Sequence, residues 1–313
     1  MNQEALLAWY RRIQRPLPWR LEPNPWSILL SEILLQQTQM ERGIVYHKNL
    51  LERFPTIQSM AESSVDDVLH LWQGAGYYAR ARRLHALSIE VMNVYEGQLP
   101  DQYGQLLALP GIGPYTAAAV ASIAFNRPVA CVDGNIRRVM ARQTNMDEPT
   151  AKEVQSFADQ QLVRESPGDW NQAMMELGAL VCKPRNPLCG QCPITETCQG
   201  RSRPHELPRP KKTKKTIVEY TCVVRIDEDG YPELYQRPQT GLFAGLWGPK
   251  MEENLPTKGC EYLGTLRHQL SHREMIVSVW KDGGSKGTDP QTVALSSLDR
   301  RILELAGIVV KIP

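Results

Sequence analysis

The sequence predicts a mainly α-helical N-terminal part followed by a small α/β domain. Over the first two hundred residues, apolar side chains recur at helical spacing in segments separated by short turns that contain Gly or Pro. Beyond residue 216, apolar and polar side chains alternate as they do in half-buried strands. Residues 201–216 carry seven basic side chains among three prolines, which is typical of a linker and favours a polyanionic partner.

Size and composition limit the classes of protein that need to be considered. A chain of 313 residues is long enough for about two domains, and 42% hydrophobic with 22% charged residues excludes wholesale disorder. No run of 18 apolar residues is present, and the first residues lack the basic and apolar regions of a secretory signal. We therefore expect no membrane span and a cytoplasmic location. The formal net charge of +2 means that a DNA-binding surface would need local clusters of basic residues.

The helical segments in the N-terminal part follow in order along the chain. The first begins with a proline at a favourable first helical position. The predicted helices are Pro25–Leu35, Met60–Trp72, Leu84–Tyr95, Tyr115–Phe125 and Asn171–Cys182. In the C-terminal part the predicted strands are Ile217–Ile226, Tyr262–Leu270 and Met275–Trp280, and the predicted helix is Ser296–Ala306.

Four of the seven cysteines lie in one window, with the spacing Cys182-x6-Cys189-x2-Cys192-x5-Cys198. An odd number of cysteines argues against a closed disulfide framework and favours metal ligands or free thiols. Four thiolates this close in sequence can hold either zinc or a 4Fe–4S cluster. Prolines and basic residues within the window indicate a loop rather than a buried core, so metal binding is the interpretation that the spacing favours.

A turn with two glycines joins two predicted helices in the string Leu109-Pro110-Gly111-Ile112-Gly113-Pro114-Tyr115-Thr116-Ala117. Glycine permits positive φ angles and leaves backbone N–H groups accessible, and the following helix presents its positive end. Such a turn can bind a phosphate without recognising base sequence. It can equally be an ordinary helix–helix connection, and glycine spacing alone does not separate the two.

Glu32 lies in an otherwise apolar helix, where its neighbours at helical spacing are mostly Ile and Leu. Shielding from water raises the pKa of a carboxyl group, which suits a general acid at neutral pH. The alternative is a solvated surface glutamate, the more frequent case for a single Glu on a helix.

Asp133 follows the apolar run Val129–Val132 and precedes a predicted helix start at Gly134. An aspartate there caps the helix. The same geometry would fix a carboxylate at the mouth of a cleft, so the capping and catalytic interpretations require one position.

The cysteine pattern, which follows Asn171-Gln172-Ala173-Met174-Met175-Glu176-Leu177-Gly178, resembles the iron–sulfur motif of the endonuclease III superfamily. The glycine turn resembles the helix-hairpin-helix of the same superfamily. The resemblance implies a 4Fe–4S cluster held by Cys182, Cys189, Cys192 and Cys198, and DNA contacts through Gly111 and Gly113.

Further motifs narrow the resemblance to MutY-type adenine DNA glycosylases. They are Trp19-Arg20, Ser31-Glu32, Leu34-Leu35-Gln36-Gln37-Thr38-Gln39, Gly74-Ala75-Gly76-Tyr77-Tyr78-Ala79-Arg80 and Val132-Asp133-Gly134-Asn135. Together they run through nearly all of the first two hundred residues. The resemblance implies a monofunctional repair enzyme that flips out and hydrolytically excises adenine paired with 8-oxoguanine or guanine in duplex DNA.

The resemblance also implies a role for individual residues. Glu32 would protonate the leaving adenine, and Asp133 would stabilise the cationic sugar with the help of Tyr115 and Asn135. The remaining implied residues contact adenine or DNA: Trp19 and Arg20 in the adenine pocket, Gln37 and Tyr77 as wedges in the base stack, and Thr38 and Tyr77 as further candidates for recognising damage.

The implied domains are a helix-hairpin-helix glycosylase region at 1–200, a basic linker at 201–216 and a Nudix-like domain at 217–313. Within the first, a six-helix barrel would span about 25–130, and an iron–sulfur subdomain would combine 1–24 with 131–200. In the Nudix-like domain, Ser271 and His272 match a Phe-Ser-His loop that contacts 8-oxoguanine, with Leu270 in place of the aromatic ring. The expected partner is double-stranded DNA, and we expect a monomer associated with the nucleoid.

Three other functions agree with parts of the sequence but not with all of it. A bifunctional glycosylase–lyase of endonuclease III type needs a lysine nucleophile directly after the hairpin, where this chain has Tyr115. A catalytically inactive iron–sulfur DNA-binding protein would not need both carboxylates. A Nudix hydrolase needs a magnesium-binding box, whereas residues 241–260 contain only Glu252 and Glu253 without its spacing.

Overall fold

A computed structural model of the protein describes residues 1–209, 215–270 and 272–311. It confirms the predicted succession of a helical part and a small sheet. The α-helices of the described residues are α1 (Gln3–Ile13), α2 (Pro18–Leu21), α3 (Pro25–Leu34), α4 (Met40–Arg53), α5 (Ile57–Ala61), α6 (Val65–Leu71), α7 (Ala79–Tyr95), α8 (Tyr103–Ala108), α9 (Pro114–Phe125), α10 (Gly134–Gln143), α11 (Ala151–Gln161), α12 (Pro167–Glu176) and α13 (Ser297–Leu305). The strands are β1 (Thr216–Ile226), β2 (Tyr235–Gln236), β3 (Trp247–Gly248), β4 (Lys250–Glu252), β5 (Glu261–Gln269) and β6 (Arg273–Gly283).

Contacts among Cα atoms divide the chain into two compact units. The first comprises Met1–Ala61 and Ala86–Lys211, and the second comprises Glu62–His85 and Lys212–Pro313. The sequence patterns did not indicate that the segment from Glu62 to His85 groups with the C-terminal part.

Local signals explain where the predicted helices begin and end. Helix α3 starts at Pro25 because the Asn24 side chain caps it, accepting a hydrogen bond from the Ser27 N–H at 2.8 Å. Helix α9 begins at Pro114 and ends at Phe125, where Asn126 adopts a left-handed conformation. Both helices match their predicted ranges to within a residue.

Three predicted helices are wrong in their extent. Helix α7 begins at Ala79, five residues before the predicted start at Leu84. The expected helix from Met60 to Trp72 is instead α5 and α6, because Ser64 and Asp67 form a reciprocal capping box that starts a new helix. The helix expected from Asn171 to Cys182 is α-helical only as far as Glu176, and the next five residues form a π-helical turn, Leu177–Val181.

The core of the first unit lies where α1, α9, α10 and α12 meet. Its fully buried members include Tyr10, Ala119, Cys131, Ile136 and Trp170. Small alanines along α9 allow α3 and α12 to pack closely on either side of it. The three elements that carry Glu32, Tyr115 and the residues after Asn171 are thereby packed together.

The second unit contains a four-stranded sheet in the order β4-β1-β6-β5. Strand β1 is parallel to β6, whereas the β1–β4 and β5–β6 pairs are antiparallel. Helix α13 supplies Leu298, Ile302 and Leu303 to the core on one face of this sheet. The predicted strands and final helix are confirmed, and a small mixed sheet with one helix is consistent with the Nudix-like expectation.

The segment from Glu62 to His85 is anchored within the second unit by hydrogen bonds. The Leu295 N–H donates to the Gln73 side chain at 3.2 Å, and the Tyr78 hydroxyl donates to the Leu295 carbonyl at 3.2 Å. Among all the residues that the structure describes, no helix is both long enough and apolar enough to cross a membrane.

Asn171 supports the first unit from within its core, and its replacement should be costly. Its amide donates to the Ser122 hydroxyl at 2.7 Å and to the Val129 carbonyl at 2.9 Å, and its carbonyl accepts from the Cys131 N–H at 3.0 Å. We expect Asn171→Ala to lower the free energy of unfolding by roughly 2–4 kcal/mol, because buried polar groups lose their partners. Denaturant titration measures this value. Gln160→Ala on exposed α11 is the control and should change it by less than about 0.5 kcal/mol.

Candidate functional site

Glu32 is buried in the last turn of α3, with 9% of its surface exposed. Its helical neighbours are apolar and buried as well. The Tyr115 hydroxyl, at the start of α9, donates a hydrogen bond to Glu32 Oε2 at 2.8 Å. The shielding that the sequence predicted for this carboxyl group is therefore confirmed, and a solvated surface glutamate is excluded.

Burial raises the pKa of Glu32 from 4.5 to about 7. The hydrogen bond from Tyr115 and the positive charge of Arg20 lower this pKa, whereas the negative charge of Asp133 raises it further. A carboxyl group with this pKa holds its proton in about half of the molecules at neutral pH. It can therefore act as a proton donor and, after donation, as a base.

Asp133 is the N-cap of α10, as the capping interpretation predicted. Its Oδ1 accepts a hydrogen bond from the Ile136 N–H at 2.7 Å, and its Oδ2 accepts from Asn135 Nδ2 at 2.8 Å. Two donors fix both oxygens, so the side chain is held in one orientation. The cap does not exclude a catalytic role, because the interaction with Glu32 shows that Asp133 lies in the electrostatic field of the same site.

A chain of hydrogen bonds runs from Asp133 to the cysteine loop. Asn135 Oδ1 accepts from Arg138 Nη2 at 2.8 Å, and the same nitrogen donates to the Gly178 carbonyl at 2.7 Å. Arg138 Nε donates to the Cys182 carbonyl at 2.8 Å. A side chain at Gly178 would meet Asn135 Cβ at 2.4 Å, so only glycine permits this close approach of the two segments.

Arg20 is held from α12 by two polar side chains. Its Nε donates to Gln172 Oε1 at 2.8 Å, and its Nη1 donates to Glu176 Oε1 at 2.7 Å. Glu176 is almost fully buried and also binds Arg15 at 2.8 Å. This carboxylate therefore binds two cations and fixes the guanidinium of Arg20, whose positive charge acts on Glu32.

Trp19 is buried, and its ring meets the edge of the His47 ring with 4.9 Å between centroids. Burial lowers the pKa of His47, which favours the neutral imidazole. His47 Nε2 lies 3.0 Å from the Ser27 carbonyl. The structure thus gives Trp19 a defined packing position in the first unit.

The hairpin between α8 and α9 contains two glycines with different backbone conformations. Gly111 has a φ of 78°, a conformation that favours glycine, whereas Gly113 has an extended φ of −98° and is the N-cap of α9. A side chain at Gly113 would meet no atom within 4 Å. The turn therefore leaves space for a ligand beside the start of α9.

The loop after α3 carries two further predicted residues. Gln37 is exposed and has a φ of 59°, in the left-handed region, and Thr38 follows it. Next to them, Gln36 Nε2 donates to Thr116 Oγ1 at 3.0 Å, which ties the loop to α9. An exposed side chain on an anchored, strained backbone is typical of a functional position.

In the second unit, Tyr77 is 46% exposed and has a φ of 50°. The guanidinium of Arg80 lies 5.5 Å from the Tyr77 ring centroid and 5.4 Å from that of Trp72. Arg80 also donates to the carbonyls of Ala75 and Gly76. Arg80 therefore braces the turn that presents Tyr77 to solvent.

The turn between β5 and β6 contains the predicted damage-recognition residues. His272 is exposed, and its carbonyl accepts a hydrogen bond from the Thr216 N–H at 3.2 Å. Ser271 lies outside the described residues. Leu270 packs against the core of the second unit, which gives this side chain a structural role.

The four clustered cysteines line one cavity, together with Arg142 and other residues. Arg142 is buried, and its Nη1 donates to Cys182 Sγ at 3.3 Å and to the Lys183 carbonyl at 2.7 Å. A buried cation beside a sulfur atom stabilises a thiolate. The donor set and its charge therefore fit an all-thiolate metal group.

Two kinds of metal group use four thiolate ligands, a single zinc ion and a 4Fe–4S cluster. The four cysteines that line the cavity fit both groups in their chemistry.

The sequence patterns did not predict a role for several side chains that lie at the site. Gln172, Met175 and Glu176 all lie on α12, and Arg138 and Arg142 lie on α10. The spacing of Gln172, Met175 and Glu176 is a helical i, i+3, i+4 pattern of larger side chains, which was a detectable signal. Their contacts with Arg20 and Tyr115 depend on chain segments more than 50 residues away.

The raised pKa of Glu32 predicts a pH-dependent cost in stability. As pH rises from about 4.5 to 7, the unfolded chain loses this proton first, so the free energy of unfolding falls. Glu32→Gln removes the cost. Relative to the wild type, this variant should therefore gain about 3 kcal/mol of stability between pH 4 and pH 8, as measured by denaturant titration at each pH.

The control has the opposite sign. Hydrogen bonds from Thr150 hold the pKa of Glu153 below its usual value, so Glu153→Gln should lose stability relative to the wild type as pH rises. A difference between wild type and Glu32→Gln that is constant with pH would contradict the buried, proton-holding Glu32.

Comparisons with known proteins agree with this geometry. Residues 30–162 match the HhH-GPD superfamily of base excision DNA repair proteins, and residues 182–198 match the iron-sulfur binding domain of endonuclease III. The first match runs from the second half of α3 to the end of α11 and includes Glu32, the hairpin and Asp133. The second covers all four clustered cysteines, which establishes a 4Fe–4S cluster as the cofactor.

Two relatives named adenine DNA glycosylase match most of this chain. An adenine DNA glycosylase from Rattus norvegicus is 31% identical over 94% of this chain and 72% of its own. One from Homo sapiens is 40% identical over 88% of this chain and 66% of its own. A solved thermostable thymine-DNA glycosylase superposes with a TM-score of 0.60 at 27% identity, over 64% of this chain and 95% of its own. The chain belongs to the adenine DNA glycosylase family, within the helix-hairpin-helix superfamily of base excision DNA repair proteins.

Proposed function

We propose that this chain is a monofunctional enzyme that hydrolyses the bond between adenine and its sugar in duplex DNA, where the adenine lies opposite 8-oxoguanine or guanine. The observation that carries this proposal is the buried Glu32 carboxyl group, 2.8 Å from Tyr115 and in the field of Asp133. The names of the curated relatives support adenine as the base that is removed.

The two carboxyl groups suit the two charges that the reaction creates. Breaking an N-glycosidic bond builds negative charge on the leaving base and positive charge on the sugar. Glu32, whose pKa is about 7, can supply a proton to the base and then accept one from water. Asp133, oriented by Ile136 and Asn135, can stabilise the cationic sugar.

The residue that follows the hairpin supports hydrolysis without a lyase step. A Schiff base requires an amine nucleophile, and the first turn of α9 presents Tyr115 at that position. The Tyr115 hydroxyl is already engaged with Glu32. Water is therefore the nucleophile that we assign to this site.

The remaining predicted residues are assigned to DNA and base recognition. A base inside a duplex must be extruded before Glu32 can reach it. We assign extrusion and strand contacts to Gln37, Thr38 and Tyr77, phosphate binding to Gly111 and Gly113, and the adenine pocket to Trp19 and Arg20. The exposure of Gln37 and Tyr77 and the open space at Gly113 support these assignments.

We divide the function along the chain as follows. Residues 1–200 form the catalytic region, with a barrel at about 25–130 and a cluster-binding part from 1–24 and 131–200, and residues 201–216 are a basic linker. Residues 217–313 recognise the base opposite adenine through Ser271 and His272. Because both carboxyl groups, the hairpin and the four cysteines lie on one chain, we expect a monomer, located with the DNA of the cytoplasm.

Removal of either carboxyl group should abolish most of the activity. Asp133→Asn keeps the capping oxygen but removes the charge that faces the sugar, so we expect a rate loss of about 10²–10³. Glu32→Gln should lose at least as much, because an amide is not an acid. Single-turnover release of adenine opposite 8-oxoguanine measures both.

Asp159→Asn, an exposed change on α11, is the matched control and should keep the wild-type rate. Adenine release by Asp133→Asn within about fivefold of wild type, under about 1 kcal/mol, would contradict the assigned role. Efficient trapping of a protein–DNA adduct by borohydride would show that the enzyme has a lyase step.

Recognition of the opposite base is tested separately. Changing Ser271 and His272 together to Ala should lower the discrimination between 8-oxoguanine and guanine by roughly 1–3 kcal/mol, the scale of one good base contact. Adenine release opposite guanine should change much less. Thr265→Ala, on β5 and farther from these two positions, is the control. Equal slowing of both substrates would make the turn a general DNA clamp.

A further inference from the structure

The Tyr115 hydroxyl contacts two acceptor groups at once. One is Glu32 Oε2 at 2.8 Å, and the other is Met175 Sδ at 3.0 Å. Met175 lies on α12 and packs against the core of the first unit. The catalytic scheme proposed above assigns no role to this methionine.

The Tyr115 hydroxyl has a single hydrogen, and neither a thioether nor an ionised carboxylate has one to donate. When Glu32 is ionised, the Tyr115 hydroxyl donates to Glu32 Oε2, and Met175 Sδ is left without a donor. When Glu32 is protonated, it can donate its own hydrogen to the Tyr115 oxygen, and the Tyr115 hydrogen is then available to Met175 Sδ. Full hydrogen bonds to both partners at once are therefore possible only in the protonated state of Glu32.

We propose that Met175 is a positioning residue for the general acid. Its sulfur atom accepts a hydrogen bond from the Tyr115 hydroxyl, which leaves the tyrosine oxygen free to accept a hydrogen bond from protonated Glu32. The inference rests on the function proposed above, in which Glu32 supplies the proton to the leaving base.

The hydroxyl also serves the carboxylate that remains after proton transfer. When the Glu32 proton has moved to the base, the Tyr115 hydrogen rotates from Met175 Sδ towards Glu32 Oε2 and donates to the new negative charge. Only hydrogen bonds change at Tyr115, and its O–H bond stays intact. One hydroxyl group thus satisfies Glu32 in both protonation states, which is consistent with a pKa near neutrality.

Other groups act on Glu32 through charge. The titratable groups that interact with it are Tyr115, Cys131, Asp133 and Arg20. Met175 carries no charge, so its replacement leaves this field in place and changes only which way the Tyr115 proton points. An effect of Met175 must therefore pass through Tyr115.

The pH dependence of adenine release tests this inference. In the wild type, the rate should fall as pH rises through about 7, because Glu32 loses its proton. Met175→Leu keeps a similar volume but removes the acceptor, so protonated Glu32 leaves the Tyr115 proton unpaired. We expect the midpoint to move to lower pH by about half a unit to one unit, the scale of one hydrogen bond.

A double variant shows whether the effect passes through Tyr115. Tyr115→Phe removes the donor that stabilises the Glu32 carboxylate, so it should move the midpoint to higher pH. In the Tyr115→Phe background, Met175→Leu should cause no further shift. Met174→Leu, the fully buried neighbour on α12, is the matched control and should leave the midpoint unchanged.

The proton on Glu32 can also be followed without DNA. Infrared difference spectra should contain a protonated-carboxyl band that is absent in Glu32→Gln, and this band should titrate at lower pH in Met175→Leu. Met175→Ile is a second variant, and iron content with the denaturation midpoint verifies folding of each. If the wild type releases no adenine, the proposed function fails, and the infrared titration still decides the role of Met175.

Two outcomes would overturn the inference. One is a uniform slowing by Met175→Leu at every pH with no shift of the midpoint or the infrared band, which would indicate a packing role only. The other is an equal shift in the presence and absence of the Tyr115 hydroxyl, which would show that Met175 acts on Glu32 by another route.

Discussion

The burial of Glu32 is the constraint on which the rest of the structure depends. An apolar helix surrounds a carboxyl group with side chains that do not solvate it, and its pKa rises to about 7 as a result. At neutral pH this burial costs free energy that an amide would not cost. The fold offsets the cost with an alanine-rich α9 that lets α3 and α12 pack closely and brings Tyr115 within hydrogen-bonding distance.

The hydrogen-bond partners of Asp133 differ from those of Glu32. Glu32 has one hydroxyl partner in a dry environment, whereas Asp133 receives two N–H donors at the positive end of α10. These two donors hold both oxygens of the Asp133 carboxyl group in one orientation. The two carboxyl groups of the site thus have different surroundings, as the proposed acid catalysis and cation stabilisation would need.

Much of this was predictable from local patterns in the sequence, and the rest was not. The start of α3, the cap at Asp133 and the shielding of Glu32 follow from residues within four positions of each. The division of the predicted helix at Met60–Trp72 depended on the capping box of Ser64 and Asp67, which competes with helical periodicity. The contacts of Met175 and Glu176 depend on packing between distant segments, which no local pattern contains. The thiol spacing alone left zinc and iron–sulfur open, and the family match decides between them.

Helix α12 shows how one element can serve the site, the core and the cysteine loop. Ala173 and Met174 are fully buried in the core, while Gln172, Met175 and Glu176 contact Arg20 or Tyr115. Directly after Glu176 the chain turns into a π-helix, which adds a residue to the turn and rotates the carbonyl groups that follow. The Gly178 and Cys182 carbonyls both reach Arg138, and Gly178 has no side chain to push Asn135 away from Asp133. A regular α-helix continued to Cys182 would turn these carbonyls in other directions. The π-helical turn is therefore what connects the position of the first cysteine ligand to the orientation of Asp133.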